Sequence, residues 1–151
     1  MQVNRFDHVV LTVASIETTV DFYTRVLGMT AVTFGPGRTA LRFGSSKINL
    51  HQAGHEFEPK ARHPAPGSMD LCFIVDDPIE DVPGQLAAAG VTLEEGPVAR
   101  AGATGEIVSC YLRDPDGNLI ELCTYSAEAK KRIGWLSERT QCRKVGNSSS
   151  N

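Results

Sequence analysis

Four side chains of this 151-residue chain are of the kinds that hold a divalent metal ion, and they recur at matching places in its two halves. His8 opens the alternating apolar stretch Val9-Val10-Leu11-Thr12-Val13, and Asp70 opens Leu71-Cys72-Phe73-Ile74-Val75, 62 residues later. Further along, Ile48-Asn49-Leu50-His51 matches Asn118-Leu119-Ile120-Glu121 at a shift of 70 residues, so that His51 and Glu121 correspond in this reading. Strand side chains alternate faces, which sets Val9, Leu11 and Val13 opposite His8, and Leu50 and Ile120 opposite His51 and Glu121. One half then presents His8 with His51 on its polar face, the other Asp70 with Glu121. Two imidazoles and two carboxylates suit Ni²⁺, Zn²⁺, Mn²⁺ or Fe²⁺, with positions left open for a small-molecule substrate.

Other polar residues share those faces by the same alternation. Arg42 is set off from Leu41 and Phe43, and Tyr111 from Cys110 and Leu112, so both are candidate substrate contacts. Arg42 offers a bidentate grip on a carboxylate or phosphonate. Asn49, two residues before His51, is a candidate substrate or second-layer hydrogen-bond donor. Arg38 and Lys47 sit beside turns, where solvation is the default. His55 follows His51 by four residues, but Gly54 makes it part of a loop rather than of a helical metal pair.

The elements that must position these groups form a repeat. After the first strand, Ser15 caps a helix that Gly28 stops; after the second, Asp76-Asp77-Pro78 leads into a helix from Ile79 through Ala89, stopped by Gly90. Each helix is followed by three strand-like stretches. They span 30–34, 38–43 and 48–52 in the first half, and 91–94, 107–112 and 119–125 in the second, with a loop around 96–105 and a hairpin turn at Asp114-Pro115-Asp116-Gly117. The fold class is therefore α+β: two βαβββ modules, about 5–53 and 68–126, forming a curved mixed sheet. An open βαβββ unit has an exposed edge, which predicts a homodimer.

Length and composition narrow the function classes. A chain of this size folds as one ordinary domain and buries ~70% of its unfolded surface, so stability demands no disulfide. Its four cysteines form no CxxC pair, and those in apolar runs are expected to be buried free thiols. Net charge is −3, but residues 1–126 hold 9 basic against 16 acidic side chains, whereas 127–151 hold 6 against 2. The acidic body repels phosphates, so no nucleic-acid partner is expected. No apolar run approaches the ~20 residues of a membrane span, and the N-terminus has no signal-like stretch, so the expected location is cytoplasmic. Residues 127–151 read as a basic extension, partly helical through Trp135 and disordered at its end.

Across residues 5–126 the chain resembles the vicinal oxygen chelate superfamily, which includes glyoxalase I, fosfomycin-resistance thiol transferases, extradiol dioxygenases and bleomycin-resistance proteins. The resemblance rests on Phe6-Asp7-His8-Val9, Asp21-Phe22-Tyr23, Leu27-Gly28-Met29 and, above all, Asp114-Pro115-Asp116-Gly117-Asn118-Leu119-Ile120-Glu121. The run Ile48-Asn49-Leu50-His51 with Glu56-Phe57-Glu58-Pro59-Lys60 is similar to proteins called glyoxalase domain-containing protein 5 and to bacterial relatives. The resemblance implies a metal site at His8, His51, Asp70 and Glu121, with Asp70 a departure from the usual His or Gln. It further implies a lyase or isomerase of the glyoxalase type, in which a metal-stabilised enediolate forms as Glu121 removes a carbon-bound proton. Alternatives within the family are extradiol ring cleavage and thiol transfer, both weakened by Asp70, and drug binding without chemistry.

Overall fold

The computed structural model describes residues 1–126. The expectations for 127–151, including the helix through Trp135, lie outside the described residues. The elements follow in the order β1 (His8–Val13), α1 (Ile16–Leu27), β2 (Thr30–Phe34), β3 (Arg38–Phe43), β4 (Ser46–Gln52), β5 (Asp70–Ile74), α2 (Val82–Ala88), β6 (Glu95–Ala101), β7 (Glu106–Arg113) and β8 (Leu119–Tyr125). This is βαβββ twice. Each module forms its own mixed four-stranded sheet, ordered β1-β4-β3-β2 and β5-β8-β7-β6, with a parallel first pair and antiparallel remainder.

Local chemistry accounts for most boundaries. The Ser15 hydroxyl accepts the Thr18 amide at 3.2 Å to start α1, and Gly28 ends it in the left-handed region at φ 64°. Two elements depart from the sequence expectation by three residues or more. The second helix begins at Val82 rather than Ile79, because Pro83 is tolerated only in a first turn, where its missing N–H costs nothing. The strand expected at 91–94 lies instead at Glu95–Ala101, and Gly96-Pro97, expected in a loop, forms a bulge between Glu95 and Val98.

One core serves both modules. Leu11, Val13, Leu41, Ile48 and Leu50 of the first sheet join Leu112, Ile120 and Leu122 of the second, with Phe22 and Tyr23 of α1 and Leu86 of α2. These side chains all lie on the helix-facing side of their sheets. Phe43 meets Phe73 edge to face at 5.2 Å, the Tyr23 hydroxyl donates to Asp114 at 3.0 Å, and an Arg25 guanidinium N–H donates to the Ala89 carbonyl at 2.8 Å. Asp114 also accepts the amides of Asp116 and Asn118 and the Asn118 side-chain amide, so the expected hairpin turn is tied into the core. The chain linking the modules passes this turn closely: at Gly67, φ 72°, a side chain would stand 2.5 Å from the Asp116 carbonyl oxygen. The modules thus join through their helix sides, which turns their outer faces away from one another.

Candidate functional site

The strand ladders fix which outer-face side chains are neighbours. On the first sheet His8 stands opposite Lys47, itself opposite Arg42; Val10 opposite Asn49, itself opposite Ala40; and Thr12 opposite His51. On the second, Asp70 stands opposite Leu119, itself opposite Arg113; Cys72 opposite Glu121, itself opposite Tyr111; and Ile74 opposite Cys123, itself opposite Ser109. His8 and Asp70 are therefore equivalent, as the repeat predicts. The repeat counterpart of Glu121, however, is Asn49 and not His51, whose counterpart is Cys123. The shift is 72 residues, not 70. A two-residue slip leaves every side chain on its expected face.

Four residues along the ladder separate His8 from His51, about 13 Å of strand, too far for side chains that stand perpendicular to the sheet to converge. His51 is 8% exposed, and its ring meets Phe57 edge to face at 5.5 Å. Phe57 in turn carries the Arg38 guanidinium 4.5 Å above its ring centroid. Arg38, expected to be solvated, instead buries its Nε without a hydrogen-bond partner among the described residues, as Asn49 does its Oδ1. Asn49 accordingly holds a buried, unpaired acceptor at the position equivalent to Glu121. The segment after β4 makes this cap: the Gly54 amide donates to Glu56 at 2.9 Å and Lys60 donates to the same carboxylate at 3.0 Å. Those two contacts, the backbone amide first, hold Glu56 down at about 2.

His8 is half-exposed, and its Nδ1 donates to the Asp7 carboxylate at 2.7 Å, which leaves Nε2 free and holds Asp7 below its ordinary range. A histidine oriented this way by a carboxylate is prepared to ligate a metal through its other nitrogen. Asp7 was legible only as a neighbour of His8, since which atom it touches depends on rotamers.

Glu121 sits in a polar setting. The Ser109 hydroxyl donates to its Oε1 at 2.5 Å, and Cys72 and Tyr111 flank it on the neighbouring strands. Burial first, then Glu121, push the Tyr111 hydroxyl up, while Arg100 donates to it at 3.2 Å. Tyr111 thus shares the neighbourhood expected of it. Arg42 does not approach Glu121; it is exposed and lines shallow hollows with Thr30 and Gly44, and with Asp7 and Lys47. A cleft of about 370 Å³ between the modules, lined by Met29, Phe43, Phe73, Val82 and Leu86 among others, contains none of these candidates.

Among the described residues, no three His, Cys, Asp or Glu side chains converge on one point that could hold a metal ion. The structure brings Asp70 and Glu121 onto one outer face and His8 with His51 onto the other, with no single chain uniting the two. What the chain does supply is a carboxylate-oriented imidazole at the start of edge strand β1, and two carboxylates beside edge strand β5. No helix among the described residues is long and apolar enough to cross a membrane.

Comparison with known proteins gives a consistent relationship. Residues 5–122 match the family model of the Glyoxalase/Bleomycin resistance protein/Dioxygenase superfamily. The virulence protein STM3117 of Salmonella typhimurium is 60% identical over 125 residues, covering 83% of this chain and 87% of that protein. Its crystal structure superposes with a TM-score of 0.82, covering 83% of this chain and all of that one. The glyoxalase domain-containing protein RDO1 of Mycosarcoma maydis is 57% identical over 125 residues, covering 83% of this chain and 70% of that protein. At the level of fold alone, lactoylglutathione lyase from Agrobacterium tumefaciens is similar at 23% identity and TM-score 0.64, covering 82% of this chain and 96% of that one. The chain belongs to the Glyoxalase/Bleomycin resistance protein/Dioxygenase superfamily.

Proposed function

We propose that this chain, as a member of that superfamily, works as a homodimeric, divalent-metal-dependent enzyme of the glyoxalase type, a lyase or isomerase acting on a small substrate with two vicinal oxygens. The observation that carries the reading is the Asp7-oriented His8 imidazole, whose free Nε2 faces outward on one sheet, at the position equivalent to Asp70 on the other. Because the two sheets share their helix sides, the site requires the first sheet of one protomer and the second sheet of its partner. His8 would then meet the partner's Asp70 and the partner's Glu121, and Asn49 would offer its unpaired Oδ1 to the ion or to substrate. His51 has no place in this donor set and acts under Phe57 as part of the pocket wall. The donors fit a hard-to-borderline ion such as Ni²⁺, Zn²⁺, Mn²⁺ or Fe²⁺.

When bound, such an ion supplies Lewis-acid stabilisation for charge developing on the substrate's adjacent oxygens. Glu121 is the group that takes the carbon-bound proton. Ser109 holds its carboxylate by a hydrogen bond to Oε1, which preserves its aim while the proton moves. Arg42, in the His8 row two strands away, lies about 10 Å from His8 across the sheet and suits an anionic end of a substrate rather than its reacting centre. The test is hydrogen exchange: with methylglyoxal and a panel of thiols in D₂O, the wild type should exchange the substrate's carbon-bound hydrogen and Glu121→Gln should not. Equal exchange by both would remove Glu121 from the chemistry, and no exchange by wild-type protein loaded with each of the four ions would end the lyase reading.

A further inference from the structure

Beside Glu121 lies a feature that the lyase reading leaves unused. The Sγ atoms of Cys72 and Cys123 are 3.6 Å apart, on the parallel neighbours β5 and β8, and both are free thiols. Cys72 is exposed on the outer face, while Cys123 is 1% exposed and belongs to the same face, since its neighbours Leu122 and Ile120 point into the core. Cys110, by contrast, points into the shared core.

We propose that Cys72 and Cys123 form a two-thiol chelate for a thiophilic divalent cation of the Zn²⁺ or Cd²⁺ class, adjoining Glu121 on the second sheet and using neither His8 nor Asp70. The spacing supports this. A tetrahedral ion with metal–sulfur bonds of ~2.3 Å holds two sulfurs ~3.8 Å apart, so the pair already stands within a few tenths of an ångström of chelating geometry. A disulfide, in contrast, would require the sulfurs to close to ~2.0 Å across two hydrogen-bonded strands. Strand backbones fix both side chains, so little conformational freedom is lost on binding. In the binding step two S–H bonds give up two protons to solvent and two metal–sulfur bonds form. The dithiolate and the ion cancel in charge, so the partly buried site gains no net charge. The remaining coordination positions face the open Cys72 side and are filled by water.

The experiment uses the full-length protein, reduced and stripped of metal, titrated with Cd²⁺ while the ultraviolet thiolate-to-cadmium charge-transfer absorption is followed. The absorption should saturate at about one Cd²⁺ per chain. Cys72→Ser, at an exposed position that leaves the core intact, should abolish it, and Cys123→Ala should do the same. Cys110→Ser and Cys142→Ser should leave it unchanged. His8→Ala should also leave it unchanged, which separates this site from the proposed enzymatic one: loss of activity with an intact cadmium signal bears on the lyase reading alone. Absence of the signal in the wild type, its survival in Cys72→Ser, or its loss in Cys142→Ser or His8→Ala would overturn the proposal.

Discussion

If one site is completed by His8 of one protomer and the partner's Glu121, then His8→Ala and Glu121→Ala proteins, each unable to hold metal at that site, should recover it when mixed, with Cys72→Ser in every protein compared so that the thiol pair contributes none. In a heterodimer of the two variants, one site carries both substitutions and the other carries neither. Random subunit exchange in an equimolar mixture makes about half of all dimers hetero, each with one intact site of two, so metal content should return to about a quarter of the wild-type level. Isolation of the heterodimer through two different affinity tags should raise this to about half. The structural basis is that a single chain keeps the two residues on outer faces turned apart by a shared core, so no rotamer change within the chain can unite them. Elemental analysis after dialysis against a mild chelator reads the result without any knowledge of substrate. Exchange is verified by co-purification of the second tag. Metal content that stays at the mean of the two parents after verified exchange would refute the shared site, and undiminished metal in either parent would remove that residue from the ligand set.

Three further outcomes test individual contacts. Asp7→Asn keeps the strand but removes the charged partner of the His8 imidazole, and should weaken metal binding about 10–100-fold by competition titration; an unchanged affinity would show that the pair does not orient a ligand. Tyr23→Phe takes a hydrogen bond from the buried Asp114 carboxylate, and should lower the urea midpoint by an amount equivalent to about 1–3 kcal/mol at unchanged slope. A loss below ~0.5 kcal/mol would mean that the Asn118 contacts suffice for Asp114. Glu56 is held at about 2 against an ordinary 4.5, chiefly by the Gly54 amide. A depressed carboxyl stabilises the folded loop above its ordinary value and loses that contribution as pH falls through the depressed one. Protection of the Gly54 amide from hydrogen exchange, corrected for intrinsic rate, should therefore fall between pH 4.5 and about 2 in the wild type. It should be pH-independent over that range in Glu56→Gln, and identical profiles would refute the assignment.

How much was legible follows from which physical signal each feature depends on. Apolar alternation revealed β1, β3 and β8 and the faces of His8, Asp70, Asn49 and Glu121, because a period of two is written directly into residue order. Ladder register is not. Overlaying Ile48-Asn49-Leu50-His51 on Asn118-Leu119-Ile120-Glu121 maximises likeness of type, whereas the observed register depends on which residues β1 and β5 bring alongside. Because the error was two residues, alternation could not expose it, and His51 passed for the partner of Glu121. The Phe57 ring that it meets comes from a loop and carries Arg38 from the start of a strand, and that convergence is set by tertiary packing. Pro83 and the Gly96-Pro97 bulge were visible as residues, and their effect was to move one helix start and one strand, both at boundaries rather than in the plan of the fold.

Edge strand β6 is disrupted by Pro97 and a bulge, devices that deny a second chain a continuous ladder to pair with. The edges at β1 and β5 have no such protection: their ladders with β4 and β8 run without a break, and neither strand contains proline. On them, and just before β1, apolar side chains stand in the open, Val10 at 44% exposure, Ile74 at 65% and Phe6 at 80%. A chain selected to remain alone would guard those edges first, since each offers unpaired backbone groups beside apolar surface. These are the strands that carry His8 and Asp70. The exposed apolar edges and the candidate ligands are thus the same part of the molecule, and under the proposed arrangement one event, apposition of the first sheet of one protomer with the second sheet of another, would cover the edges and bring those side chains together.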